Sequence, residues 1–311
     1  MRRMLILLGV LGLLLTIGAT STRAGGDQPF TRIPDVVYGR KDGTALTMDV
    51  FVPKKNANGA AVIWVVSGGW FSSHAAINAK AAEPFLDRGY TVFAVVHGSQ
   101  PRYTIPEILL DMHRAVRYIR TNAKEYKIDP DRIGITGGSA GGHLSLMQGT
   151  AGAPGNPMTK DPIDRASSRV QAVACFFPPT DFLNYGAKGK DAIGRGTLAG
   201  FKAPFDFKTF DPKTRLYDRI TDEKTIVETG KLISPINHVT ANAPPTLIIH
   251  GDKDLLVPIQ QAESFVAKMK EAGAVAELVV RTDAVHGWKG IEQDRVLFAD
   301  WFDKHLKKSS K

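Results

Sequence analysis

Six short apolar runs constrain this chain's fold most: AAVIWVVS (60–67), YTVFAVV (90–96), RIGIT (132–136), VQAVACFF (170–177), PTLIIH (245–250) and AELVVR (276–281). Each has the length of a strand and is rich in β-branched residues, and none alternates cleanly with polar residues. A strand with one wet face alternates, whereas a strand covered on both faces does not. Helical patterns separate the runs at 105–124, 141–149, 258–272 and 291–306; in the first, Leu109, Met112, Val116 and Ile119 recur on one face. Two earlier segments, VVYG (36–39) and LTMDVFVP (46–53), alternate more and suit an antiparallel edge pair. Together these predict an α/β chain with a mostly parallel eight-stranded sheet and helices on both faces.

One segment breaks the rhythm. Residues 181–234 hold many Gly, Lys and Asp residues and the stretch FKAPFDFKTF (201–210), with no evident strand. The segment is too long for a plain connection. Two readings stand side by side: a decorated surface loop, or a partial lid with an aromatic underside.

The first residues, MRRMLILLGVLGLLLTIGATSTRAGG, pair two arginines with an apolar stretch and then small residues up to Ala24. This is the layout of an export signal, cleaved near Ala24, and the apolar run falls short of the ~20 residues that cross a bilayer. The expectation is a periplasmic or extracellular protein with no stable membrane anchor, residues 25–311 forming a single domain. The formal charge of +9 would fall to +6 on loss of Arg2, Arg3 and Arg23. The remaining basic residues are scattered except in the terminal KHLKKSSK, and no basic stripe interleaved with aromatics suggests a nucleic-acid partner. A single cysteine, Cys175, excludes an internal disulfide. No HExxH and no cysteine cluster appears, so neither a metal nor another cofactor is expected. Oligomeric state is not legible.

The chemistry centres on TGGSAGGHLSL (136–146), in which Ser139 stands between the run RIGIT and a helical stretch, flanked by Gly137 and Gly141. A phosphate loop needs a lysine after the last glycine, where His143 stands, and GGSAGG does not supply the spacing of a dinucleotide loop. A strand-to-helix turn of the form G-x-S-x-G instead holds a serine hydroxyl at the carboxyl end of a sheet. Serine is a poor nucleophile without a base, and the base needs an oriented acid. In chain order Ser, Asp, His, the partners should come after later strands. PTLIIH runs into GDKDLLVP, which offers Asp252 and Asp254, and AELVVR leads into TDAVHGW, which offers His286. A tetrahedral oxyanion needs aimed N–H donors. Ala140, next after the serine, should give one, and the loop SGGW after VIWVV another, from Gly68, Gly69 or Trp70.

The motifs DPDRIGITGGSAGGHLSL, SPINHV…APPTLIIHGDKDLLVP and the late HGW resemble those of α/β-hydrolases of the esterase/lipase superfamily, over residues 45–306. The nearest branch holds bacterial acetyl-xylan and feruloyl esterase-like proteins and the catalytic domains of prolyl oligopeptidases. The resemblance implies Asp254 as the acid, with Asp252 ordering its loop and Asp181 as an alternative drawn from an earlier strand. Many relatives carry HGGGW where this chain has Val66-Ser67-Gly68-Gly69-Trp70, so a loop histidine is missing. The resemblance favours packing or helix hydrogen bonding for His143; His250 reads as a buried, hydrogen-bonded residue. His97 stands at a strand end on the same rim, where relatives more often show a Tyr-Arg pair, and is a candidate pocket residue. Trp70, Phe71, Phe176, Phe177 and Trp288 are candidate pocket walls. The motifs and the resemblance together imply an exported serine carboxylesterase acting on a small-molecule or carbohydrate ester, with acetyl or feruloyl as implied acyl groups. Two other readings are a peptidase of the prolyl oligopeptidase type and a non-catalytic carbohydrate-binding protein on the same scaffold. The first would need a propeller domain before the hydrolase domain, and the second usually loses one of the three catalytic residues.

Overall fold

The computed structural model describes residues 28–307; the proposed export signal and the end of the basic tail lie outside them. Eight strands form one sheet in the order β1 (Phe30–Lys41), β2 (Thr44–Pro53), β4 (Thr91–Val95), β3 (Ala61–Val65), β5 (Ile133–Gly138), β6 (Ala172–Phe176), β9 (Thr246–Gly251), β10 (Ala276–Arg281). β1 pairs antiparallel with β2 and β2 with β4, and every later neighbour is parallel. Five of the six apolar runs are central strands, buried nearly throughout. The sixth differs. β10 is an edge strand, and Glu277 and Val280 are exposed, because among the described residues no strand pairs with its outer side.

Alternate residues of each strand feed two cores. On one face Ile63, Val95, Ile135, Cys175 and Ile248 pack with α2 (Ile105–Thr121), α3 (Ala140–Ala151) and α5 (Gln260–Glu271). On the other, Val62, Ala94, Ala174 and Ile249 pack with α1 (Glu83–Leu86) and α6 (Ile291–Leu306) through Phe85, Phe298 and Phe302. This is the α/β-hydrolase fold, and it explains the absence of polar alternation: both sheet faces are dry. α2 begins at a capping box in which Thr104 and Glu107 bond reciprocally, and it buries Ile105, Ile108, Met112, Val116 and Ile119.

Residues 181–234 are more ordered than their composition suggests. They contain a hairpin, β7 (Lys208–Asp211) with β8 (Leu216–Arg219), and α4 (Glu223–Leu232), whose first turn is capped by Asp222. The hairpin corrects the expectation of no strand. Its side chains are largely exposed, so it lacks the apolar signature by which the sheet strands were legible. Three aromatic residues of the segment do face inward: Phe182, Phe201 and Phe205 surround the Trp70 indole at centroid distances of 5.9, 6.4 and 5.2 Å, while Phe210 and Tyr217 on the hairpin are exposed.

Candidate active site

Ser139 caps α3 directly from the end of β5, with φ 54° and ψ −120°, a region that L-residues rarely occupy. The turn folds the helix so tightly back that a Cβ at Gly137 would lie 2.5 Å from the Gly141 carbonyl. Glycine at 137 is therefore a steric requirement. The turn is held by the Ser139 N–H on the Phe176 carbonyl (3.0 Å) and the His143 N–H on the Ser139 carbonyl (2.9 Å).

His286 and Asp254 come from the loops after β10 and β9. These loops are stitched together: the Asp252 N–H donates to Arg281 O, the Lys253 N–H to Ala284 O, and the Asp283 N–H to the Asp252 carboxylate at 2.7 Å. Asp254 is fully buried; its Oδ1 accepts the N–H groups of Leu256 and Val257, each at 2.9 Å. Its Oδ2 accepts from His286 Nδ1 at 2.7 Å, and His286 Nε2 lies 2.9 Å from Ser139 Oγ. Because a carboxylate only accepts, the proton sits on Nδ1 and Nε2 is left to accept the serine hydroxyl. Burial pushes the Asp254 carboxyl up, but hydrogen bonds from His250, His286 and the Val257 N–H outweigh it. They hold the carboxyl well below the usual range, ionised. The Phe177 ring packs on His286 with centroids 4.4 Å apart. Such a line can take a proton from serine and hold the resulting imidazolium.

The other residues singled out in the sequence fall into place around this line. Asp252 orders the loop through the Asp283 N–H. Asp181 caps its own turn, accepting from the Leu183 and Asn184 N–H groups and from Asn184 Nδ2. His143 is buried, accepting from Trp70 Nε1 (3.1 Å) and donating to Ile233 O (2.7 Å). His250 is also buried; its Nε2–H is shared between Val257 O at 2.8 Å and Asp254 Oδ2 at 3.4 Å.

The loop after β3 departs from the sequence expectation in one donor. Gly68 and Phe71 exchange both backbone hydrogen bonds, at 3.0 and 2.9 Å, across a turn whose central residues, Gly69 and Trp70, have φ 55° and 60°. Two left-handed central residues make this a type I′ turn. The Gly68 N–H is thus spent on Phe71, a correction to its place among the oxyanion donors. Among the described residues the N–H groups of Gly69 and Trp70 have no partner, and Ala140 opens α3, where an N–H has none within the helix.

A cavity of about 440 Å³ opens over Ser139, with Trp64, Val65, Val66, Phe71 and Phe177 among its walls. The three side chains expected to contact substrate do not line it. Trp70 is only 2% exposed, its ring drawn under the loop by the aromatic cluster. His97 is also buried; its Nδ1 donates to Gly98 O at 2.7 Å and its Nε2 accepts from Ser67 Oγ at 2.8 Å. Trp288 packs on Phe176 and Phe177 and donates to Asp294 at 2.8 Å. No described residue of 181–234 lines the cavity either. A larger cavity, about 520 Å³, lies between β1 and α2, away from the serine.

The Ser67–His97 contact was missed in the sequence. Ser72 Oγ joins it, donating to Val66 O (2.6 Å) and accepting from the His97 N–H (3.2 Å). The β3 loop is thereby tied to the end of β4, although the loop histidine of HGGGW is absent. The available signal was the pair SGGW and VVHG at the ends of neighbouring strands. Among the described residues, Asp35, Asp49 and His74 form one cluster of metal-ligand type. Asp49 is already neutralised there by Arg32 at 2.5 Å, with His74 at 2.7 Å, which makes the cluster a structural ion pair.

Known proteins resemble the chain in sequence and in fold. It is 31% identical over 241 residues to the probable carboxylic ester hydrolase LipM of Mycobacterium tuberculosis (strain ATCC 25618 / H37Rv), covering 76% of this chain and 51% of the relative. It is 31% identical over 248 residues to the esterase LipQ of the same organism, covering 77% and 53%. The chain thus spans about half the length of these curated relatives. A solved structure of a truncated carbohydrate esterase from gut microbiota superposes with a TM-score of 0.70 at 27% identity, covering 89% of this chain and 98% of that one. Thermogutta terrifontis esterase 2 phosphonylated by sarin superposes with a TM-score of 0.67 at 27% identity, covering 86% and 93%. The profile of the BD-FAE family matches residues 48–269, a span that runs from β2 through the serine turn to α5, and the chain belongs to that family.

Proposed function

We propose that this protein is a serine carboxylic-ester hydrolase whose nucleophile is Ser139. The observation that carries the reading is the hydrogen-bonded line from Ser139 through His286 to the buried, ionised Asp254. Ser139 Oγ attacks the ester carbonyl carbon as its proton passes to His286 Nε2. The tetrahedral oxyanion is met by the Ala140 N–H and by the free N–H groups of Gly69 and Trp70. His286 then gives its proton to the departing alkoxide oxygen, leaving an acyl-serine. Water, deprotonated by His286, attacks that acyl group and releases a carboxylic acid.

The named ester hydrolases among the relatives support the reaction class, and the carbohydrate esterase supports an acyl group, such as acetyl or feruloyl, carried on a sugar. The protein is proposed to work outside the cytoplasm, on the strength of the apolar leader before Ala24. Purified protein should hydrolyse p-nitrophenyl acetate, acetylated xylan or methyl ferulate, leave prolyl amides intact, and lose activity as a phosphonate labels Ser139. Activity that survives complete labelling of Ser139, or that vanishes with a chelator and returns with zinc, would defeat the serine mechanism. N-terminal sequencing of exported protein tests the leader, with cleavage after Ala24 expected.

A further inference from the structure

The cavity over Ser139 contains one charged side chain, Arg295 on the second turn of α6. Arg120, half-buried, is satisfied by the carbonyls of Pro130, Ser167 and Arg169, and several other arginines meet carboxylates: Arg32 with Asp49, Arg88 with Asp303, Arg114 with Asp161, Arg281 with Asp294. Among the described residues Arg295 meets none. Its neighbour Asp294 is committed to Arg281 (2.5 Å) and to the Trp288 indole (2.8 Å). Glu292, one turn earlier and exposed, acts on Arg295 only through space, without an ion pair. Burial lowers the guanidinium's affinity for its proton, yet an arginine stays charged at any pH a protein meets.

A half-buried cation without a counter-ion, in a cavity whose other lining side chains are apolar or the neutral hydroxyls of Ser67 and Ser139, costs free energy until an anion reaches it. We propose that Arg295 recognises a carboxylate on the ester substrate. This rests on the esterase reading above. The planar fork of a guanidinium matches both oxygens of a carboxylate, and a single cation in the cavity suits a single negative charge. That carboxylate has two possible sources. It is either on the acyl part, as in the half-ester of a dicarboxylic acid, or on the alcohol part, as in an acylated hydroxy acid or uronic acid.

Two matched pairs of esters separate these sources: monomethyl against dimethyl glutarate, and 4-acetoxybenzoate against its methyl ester. The native chain should prefer the charged member of one pair by about ten- to a hundredfold in kcat/KM, as one charge-assisted hydrogen-bonded pair would give. The pair that shows the preference identifies the source. In Arg295→Gln the ratio should collapse towards one, the loss falling on the charged member. Arg295→Lys should keep part of it, and high salt should weaken it. No preference in either pair, or equal losses on both members in Arg295→Gln, overturns the assignment while ester hydrolysis itself stands. Calorimetric binding of the same charged and neutral esters to Ser139→Ala, with and without Arg295→Gln, reads the contact without turnover. Equal binding with and without the guanidinium would also overturn it. Failure of the native chain to cleave any ester would instead refute the hydrolase reading.

Discussion

Two serine–histidine hydrogen bonds stand at this site, 2.9 Å for Ser139–His286 and 2.8 Å for Ser67–His97, and their far nitrogens decide what each can do. His286 donates its Nδ1–H to the ionised Asp254, so a full negative charge faces the ring while it holds the serine proton in the transition state. His97 gives its Nδ1 proton to the Gly98 carbonyl, a dipole, inside a buried setting that lowers its pKa to about 4. The same two residue types at nearly the same distance therefore form a base in one place and a strut in the other. The partner one bond further out sets the role.

The largest effects should fall on the first pair. Ser139→Ala and His286→Ala should each lower kcat by up to ~10⁶-fold, because the two act as a unit, while both proteins stay folded. Single-turnover and steady-state assays with circular dichroism measure both. A variant that keeps a tenth of the activity would remove its residue from the mechanism.

Asp254→Asn should cost on the order of 10⁴-fold in kcat, since an amide can donate to Nδ1 and select the wrong tautomer. Asp252→Asn, which removes only a charged acceptor for the Asp283 N–H, should cost far less. The opposite ranking in the same ester assay would mean that loop order outweighs the carboxylate beside His286.

On the second pair the expected loss is modest. Ser67→Ala leaves His97 Nε2 a buried acceptor without its partner, which should destabilise the fold by about 1–3 kcal/mol. It should also loosen the loop bearing Gly69 and Trp70, lowering kcat by roughly tenfold with little change in KM, as for partial loss of oxyanion donors. Urea melts and initial rates test both. A kcat loss as deep as that of His286→Ala would make Ser67–His97 a reacting pair and erase the contrast.

The same contrast marks how far the sequence was legible. Ser139, Asp254 and His286 each stand just past a strand of the parallel sheet, so chain-local order alone brought them to one rim. The buried parallel strands and the antiparallel pair before β3 were legible for the same reason, through patterning. The burial of Trp70 was not, because it depends on Phe182, Phe201 and Phe205, contributed by a segment more than a hundred residues later. Nor was the engagement of the Gly68 N–H, which depends on the two positive φ values of a turn. Arg295 was passed over since one arginine on a helix looks like any other until its missing counter-ion is seen.

The smallest effect concerns stability towards acid. Burial lowers the pKa of His97, His113 and His143 to about 4, the Gly98 and Ile233 carbonyls opposing it for the first and third. Unfolded, each should titrate near the ordinary value of about 6.5. The unfolded chain therefore binds more protons than the native one between these values, and stability that is complete above pH ~6.5 is lost as pH falls towards 4. Asp254, held below the usual carboxylate range, contributes in a lower window: its share persists until pH falls below that range and through its native pKa. Melts from pH ~7.5 to ~5.5 should thus show stability declining above the ordinary carboxylate range. His97→Gln, which keeps a hydrogen-bonding side chain there, should reduce the proton uptake on unfolding near pH ~5 by about one. An unchanged slope in that variant would mean that His97 is already charged in the folded protein, so that Nε2 could not accept from Ser67 and the strut would not stand as described.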